Sequence, residues 1–311
     1  MARLLRRRTA VTEGLSMLER YLLSKKETVE EALERYLPDQ ENFPPVLFQA
    51  LRYSVFAGGK RLRPILCIAA AEAVGGPMKP VLPAACAIEF IHTYSLIHDD
   101  LPAMDNDDYR RGRLTNHKVF GEGMAILTGD ALLTGAFDLL SGEEMAKGNT
   151  PERILAVIRE LSVAAGFFGM VGGQVMDIRS EGKQVDLSTL YYIHTRKTGA
   201  MIKASVRTGA VLAGAPKEHL QALGNYGEHI GLAFQIADDI LDVEGNREQF
   251  GKDTGVDSSR KKGTFPSLIG VEASRDTARE LVEQALDAIS VFDEKADPLR
   301  WIAEFVIDRE K

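Results

Sequence analysis

Apolar residues recur at helical rather than alternating intervals along almost the whole chain. Leu15, Leu18, Leu22, Val29, Leu33 and Tyr36 keep that period over residues 12–36, before Pro38 ends the run. Pro44-Pro45 opens a helix expected to reach about Ala57, where Gly58-Gly59 stops it. Another is expected from Pro64 to Val74, ended by Gly75-Gly76-Pro77. Pro83 then opens an apolar helix through Phe90, Ile91, Tyr94, Leu96 and Ile97. The same reading places helices at 122–140, 151–176, 187–213, 217–243, 266–289 and 297–308. No convincing period-two strand, fixed short repeat or low-complexity linker interrupts the series. The pattern predicts one all-α domain, 1–311, of about ten helices, with no motif in its first forty residues.

Composition narrows the class. With 45% hydrophobic residues, 311 positions hold ample material for a large core. Against 38 basic residues stand 45 acidic ones, and a net charge of −7 argues against general nucleic-acid binding. Cys67 and Cys86 lie in apolar helical runs and are read as buried, reduced thiols. Arg3, Arg6, Arg7 and Arg8 form a basic tip without the apolar region or cleavage site of a secretory signal, so a cytoplasmic protein is expected. No run reaches roughly 18 uninterrupted apolar residues, so no membrane span is expected. In the helix at 123–140, Gly129, Ala131, Gly135 and Ala136 among leucines suit either tight core packing or a subunit interface.

Chemistry concentrates where the apolar helix ends, in HTYSLIHDDLPAMDNDDYRR, residues 92–111. Asp99, Asp100, Asp105, Asp107 and Asp108 crowd into ten positions, and like charges so close repel. Hard oxygen ligands of this kind suit Mg2+, which takes one or two carboxylates and completes its shell with water and phosphate. Arg110 and Arg111 suit phosphate oxygens. Asp99 and Asp105 are six apart, on opposing faces of a regular helix, and Pro102 lies between them. The chain must therefore break at Leu101 to Met104 for the two to share a cation. Nothing beyond proximity argues for Asp107 or Asp108 as ligands.

A second cluster, FQIADDILD, emerges from an apolar helix at residues 234–242. Asp238 and Asp242 share a helical face, about 6 Å apart along the axis, whereas Asp239 points about 100° away. Basic signals are dispersed: GGKRLRP at 58–64, Lys197-Thr198, Gly251-Lys252 and Lys261-Lys262 before GTFP. Gly172-Gly173-Gln174 with Asp177 puts polar groups on an apolar helix, so they are expected to face something polar. Together these features fit a site that binds diphosphates through Mg2+ beside an apolar cavity. No zinc-ligand spacing and no nucleophilic triad appears around the two cysteines and six histidines.

The order GGKRLRP, HTYSLIHDDLPAMDNDDYRRG, GGQVMD, RKTG, FQIADDILD and GK…KKGTFP resembles the trans-prenyltransferases, the short-chain isoprenyl diphosphate synthases, from about residue 45 to 270. The resemblance implies an isoprenoid-synthase helical bundle around a deep central cavity, homodimeric, with three Mg2+ ions per site. It implies Asp99, Asp105 and Asp238 as metal ligands, supported by Asp100 and Asp242. It implies Arg110, Lys197, Thr198, Gln235 and Lys252 on the allylic diphosphate, with Lys262, or its neighbour Lys261, closing over it. Lys60, Arg63, His92 and Arg111 would hold isopentenyl diphosphate. The direction of His98 is left open, and Asp253 could partly neutralise Lys252. In the implied reaction the allylic C–O bond ionises and the isopentenyl double bond attacks the carbocation.

Tyr94, five residues before Asp99 and about 7.5 Å away along a helix, stands with Ser95 where the family sets product length. A large ring there favours farnesyl diphosphate (C15) over geranylgeranyl diphosphate (C20). Three other readings compete: a terpene cyclase, a non-catalytic subunit of a prenyl synthase, and an acidic helical scaffold. The basic set at 60–63, 92 and 111 counts against the first. The completeness of both aspartate motifs counts against the second, and their apolar flanks against the third.

Overall fold

The computed structural model describes residues 15–244 and 263–308. Helix α1 (Met17–Tyr36) starts at a reciprocal cap in which Ser16 accepts the Glu19 N–H and Glu19 accepts that of Ser16. α2 (Pro45–Val55), α3 (Leu62–Ala73) and α4 (Leu82–Asp99) follow; α2 and α4 carry proline in the first turn, where its missing N–H costs nothing. A hairpin of β1 (Tyr109–Arg110) and β2 (Arg113–Leu114) leads to α5 (Asn116–Phe120), α6 (Glu122–Ser141), α7 (Glu143–Ala146) and α8 (Pro151–Ala165). α9 (Met170–Ser180) and α10 (Leu187–His194) precede a π-helical turn at Thr195–Gly199. Next come α11 (Ala200–Leu212), α12 (Lys217–Glu244), α13 (Phe265–Ile269), α14 (Val271–Ala288) and α15 (Asp297–Asp308).

Helix α3 sits at the centre because small and branched apolar residues cover its whole circumference. Cys67, Ile68 and Ala71 join a core with α1, α4, α6 and α8. Ile65, Leu66, Ala69, Ala70 and Ala73 join a second with α11, α12, α14 and α15. A third cluster, built on Leu190, Leu232, Ile236, Ile240 and Phe265, ties α10, α12 and α13 together. α1, which carries no motif, is bound to α3 by Tyr21 and Lys25, which both meet Glu72. Both cysteines are buried, as expected, and burial pushes their thiols up.

The expected helices are present, with informative departures. The run at 151–176 breaks at Gly166–Gly169 into α8 and α9, the run at 187–213 contains the π turn, and Gly270 divides 266–289. The hairpin has strands of two residues, too short to show a period. Its loop, Arg111-Gly112, has φ of 54° and 73°, the positive values at both central positions that a twisted two-residue hairpin requires. Of the two alternatives raised for α6, core packing is present, since Ala125, Gly129, Leu132 and Ala136 are buried, while Ile126 and Leu127 on the same helix are exposed. Against the expectation of no span, Lys79–Asp99, Glu122–Ala146 and Pro151–Ser180 are long and apolar enough to cross a membrane by length and composition. The first is explained by burial inside the bundle, where 78% of it is covered; the other two are only 33% covered.

Tyr226 is fully buried on α12 and donates its hydroxyl to the Leu299 carbonyl on α15 at 2.7 Å. Tyr226→Phe keeps the ring and removes that hydrogen bond, so it is expected to lower the unfolding free energy by about 0.5–1.5 kcal/mol in a urea titration.

Candidate active site

Helix α4 ends at Asp99, and the chain turns back on itself as Pro102 demands. Met104 and Asn106 donate backbone N–H groups to the Leu101 carbonyl (2.9 and 3.0 Å), and Asp105 donates to the Asp99 carbonyl at 2.8 Å. The break expected at Leu101 to Met104 is present, and it brings Asp105 back to Asp99. Burial pushes the Asp99 carboxyl up to about 6; Lys197 opposes this, and the nearby Asp105 charge adds to it. Gln174 on α9 donates to Asp99 Oδ1 at 2.9 Å. Asp100 faces elsewhere: it is buried, and Nε and Nη2 of Arg110 both meet its Oδ1 at 2.7 Å. Asp107 lies 3.8 Å from Arg110, and Asp108 pairs with Lys118 at 2.8 Å.

On α12, Gln235, Asp238 and Asp242 recur at a spacing that puts them on one face. Gln235 accepts a hydrogen bond from the Thr198 hydroxyl in the π turn. Lys197, in the same turn, donates to Asp177 on α9 at 2.7 Å. A π turn inserts one extra residue into a helix and re-aims the side chains around it. α9 can approach that backbone only through a glycine, since a Cβ on Gly173 would lie 2.2 Å from the Lys197 nitrogen. Asp239 points into the third core cluster. Its Oδ2 accepts the Phe265 N–H at 2.9 Å and lies 3.0 Å from His194 Nε2, while the His194 ring stacks on Phe265. It therefore ties the end of α10, next to the π turn, and α13 to the helix that bears Asp238.

The cationic group assembles around His92. Arg111 packs its guanidinium on Gly59 and donates to the Gly58 carbonyl, which joins the GGKRLRP turn to the hairpin. Burial holds His92 well below the usual imidazole range, and Arg63, Arg111, Arg110 and Arg61 push it further down. His92 is therefore neutral among fixed cations, which suits an anion-binding pocket. Arg63 also feels the Asp238 charge, so this group borders the second aspartate motif. Lys60 is exposed, its ammonium 5.9 Å from the Phe305 ring. Arg61, immediately before α3, is buried with φ 53° and ψ 31°, a left-handed conformation costing about 1–2 kcal/mol for a residue with a side chain.

Tyr94 is buried, with its ring edge-on to His98 at 5.8 Å, and His98 Nε2 lies 3.0 Å from the Ile126 carbonyl on α6. Ser95 is half-buried and donates to the His92 carbonyl at 2.9 Å. The direction of His98, left open by the sequence, is thus toward α6. Lys252, Asp253, Lys261 and Lys262 lie outside the described residues. Among the described residues no three His, Cys, Asp or Glu side chains converge on a single metal-sized point. Sequence reasoning overlooked Glu89, Arg61 and His194. Glu89 carried a signal, as an acid inside an apolar helix three residues before His92.

Residues 44–298 match the polyprenyl synthetase family, so the chain belongs to that family. It is 50% identical to a dimethylallyltranstransferase from Fischerella ambigua, over 97% of this chain and 86% of that one. It is 48% identical to a geranylgeranyl diphosphate synthase from Cyanophora paradoxa, over 93% and 95%. The crystal structure of an FPP/GFPP synthase from Zymomonas mobilis superposes with a TM-score of 0.83 at 39% identity, covering 93% of this chain and 98% of that one. The fold is that of the isoprenoid synthases, and the protein is a prenyltransferase of the farnesyl and geranylgeranyl diphosphate synthase type.

The raised Asp99 carboxyl has a consequence for stability. A folded-state value near 6 against 3.8 means that the folded protein binds more protons between those limits, so stability falls as pH rises through them. Asp99→Asn is expected to abolish prenyl transfer yet stabilise the ligand-free protein at pH 8 by on the order of 1–3 kcal/mol. The gain should vanish near pH 4, and thermal melts at the two pH values test this.

Proposed function

We propose that this prenyltransferase condenses isopentenyl diphosphate with dimethylallyl or geranyl diphosphate and stops at farnesyl diphosphate. The observation that carries the reading is the meeting of two charge groups: the Asp99–Asp105 pair with Lys197, and the Arg63, Arg111 and His92 cluster beside Asp238. Arg110, Lys197, Thr198 and Gln235, with Lys252 and Lys262, hold the allylic diphosphate. Lys60, Arg63, His92 and Arg111 hold the isopentenyl diphosphate. The fixed cations stabilise charge that grows on the departing diphosphate as the allylic C–O bond breaks. The isopentenyl double bond then attacks the allylic carbocation, and a proton leaves to the released diphosphate. Apolar walls keep water from the cation.

The carboxylates suit Mg2+. It takes hard oxygen donors, one or two carboxylates per ion, with water and substrate phosphates completing the shell rather than an all-protein cage. Asp99 and Asp105 fit that demand, because a cation between them relieves the repulsion and burial that raise the Asp99 carboxyl. Asp238 would supply the opposing ligand, with Asp242 supporting it and Asp100 acting through its pair with Arg110. When bound, Mg2+ neutralises diphosphate oxygens as a Lewis acid.

Chain length is assigned to Tyr94. Its ring is buried and edge-on to His98, which supports the reading that it limits the space for a longer prenyl chain. A reaction with Mg2+, dimethylallyl diphosphate and isopentenyl diphosphate should give a C15 product, and EDTA should abolish it. Tyr94→Ala should extend the product to C20 or longer. A C20 product from the wild type would instead make the chain a geranylgeranyl diphosphate synthase, and no elongated product would leave a non-catalytic subunit.

A second copy of the chain is proposed to cover the apolar side of α6, α8 and α9. Ile126, Leu127, Leu155 and Val163 are exposed there, and Phe167 and Phe168 are 82% and 70% exposed. Sedimentation should give twice 34.2 kDa, and Leu127→Asp combined with Phe168→Asp should shift the protein toward monomer.

A further inference from the structure

We propose that Glu89 is a positioning residue for isopentenyl diphosphate and that it acts through Arg61. This deepens, and depends on, the reading of Lys60, Arg63, His92 and Arg111 as the isopentenyl diphosphate site. Glu89 lies on α4 three residues before His92, on the same helical face, and is 1% exposed. Its Oε1 accepts from Arg61 Nη1 at 2.7 Å. Nη2 of Arg61 donates to the Val55 carbonyl, the last of α2, at 2.6 Å, and Nε lies 3.4 Å from Glu30 Oε1 on α1. One guanidinium, with no solvent exposure, thus joins α1, α2 and α4.

The grip matters because of where Arg61 stands in the chain. Lys60 precedes it, Arg63 follows two residues later, and its own backbone is left-handed. Residues other than glycine hold that conformation when surrounding contacts over-determine it. Removing the carboxylate leaves the guanidinium without its buried counter-charge, so the turn relaxes and Lys60 and Arg63 lose their mutual placement. Glu89 also favours the charged forms of Arg63 and Arg111, so it serves the whole cationic group. Lys197 and Thr198 lie on the π turn, which the Arg61 guanidinium does not join, and Asp99 ends α4 ten residues beyond Glu89, about 15 Å along the helix. The defect is therefore confined to one of the two substrates. A role in stability alone would be blind to which substrate is varied.

Steady-state kinetics with each diphosphate varied in turn test this. Glu89→Ala is expected to raise KM for isopentenyl diphosphate about tenfold or more and to leave KM for the allylic diphosphate within about twofold. Glu89→Gln, which keeps an acceptor for Arg61 but not the counter-charge, should recover part of the loss. If Glu89→Ala does not fold, Arg61→Lys, which keeps the charge and loses the fork, carries the same test. Equal rises in both KM values, or no rise, overturn the proposal. Lys60→Ala separates it from the reading beneath it. An isopentenyl KM that Lys60→Ala leaves unchanged overturns the site assignment and the proposal together. A raised one beside an unaffected Glu89→Ala overturns the proposal alone.

Discussion

Charge taken out of water has to be paired, and that requirement shapes the centre of this molecule. A helical bundle of this size could bury apolar side chains alone at lower cost, since an unpaired buried ion is heavily penalised. Here the axis of the fold instead carries carboxylates and guanidiniums on the inner faces of α3, α4 and α12. The structural charges are neutralised internally: Arg61 by Glu89, and Asp239 by the Phe265 amide beside His194. These pairs fix the helix ends and turns on which the reactive groups stand.

The groups assigned to chemistry are treated differently. Asp99 keeps a carboxyl whose proton affinity is raised by burial and by Asp105, and His92 is held neutral among arginines. Both are costs in the ligand-free protein that an arriving cation or diphosphate would offset. A site prepared in this way is stabilised by its substrates and strained without them, the usual exchange of stability for function. Prenyl transfer asks little of the protein beyond such placement, because the reacting electrons belong to the substrates. Two anions and their counter-ions must be held in register, and a carbocation kept from water.

Local irregularity supplies that register. The turn at Leu101 to Met104, the π turn at Thr195–Gly199, the left-handed Arg61 and the two-residue hairpin at Arg111-Gly112 are four departures from regular helix. Each delivers a residue assigned to substrate or metal. Regular helices alone would present the carboxylates of Asp99 and Asp105 on opposing faces. The regular parts of α3, α4 and α12 act as the frame, and the breaks set where charge is aimed.

Helical class, most element positions and both aspartate motifs were legible in the sequence, because a 3.6-residue period and a proline between aspartates act locally. The break at Pro102 was predicted for that reason, as was the shared face of Asp238 and Asp242. Glu89 and Arg61 could not be matched, since their pairing spans 28 residues and depends on how α3 crosses α4. The same holds for Asp239 with His194, and for Gln174 with Asp99. Hydropathy alone likewise could not tell the buried helix ending at Asp99 from the two whose apolar sides remain exposed. The sequence by itself determined which residues could carry charge and where the helices must stop, since both follow from neighbours along the chain. Only the tertiary structure decided which charges meet, because that depends on the packing angles of helices far apart in sequence.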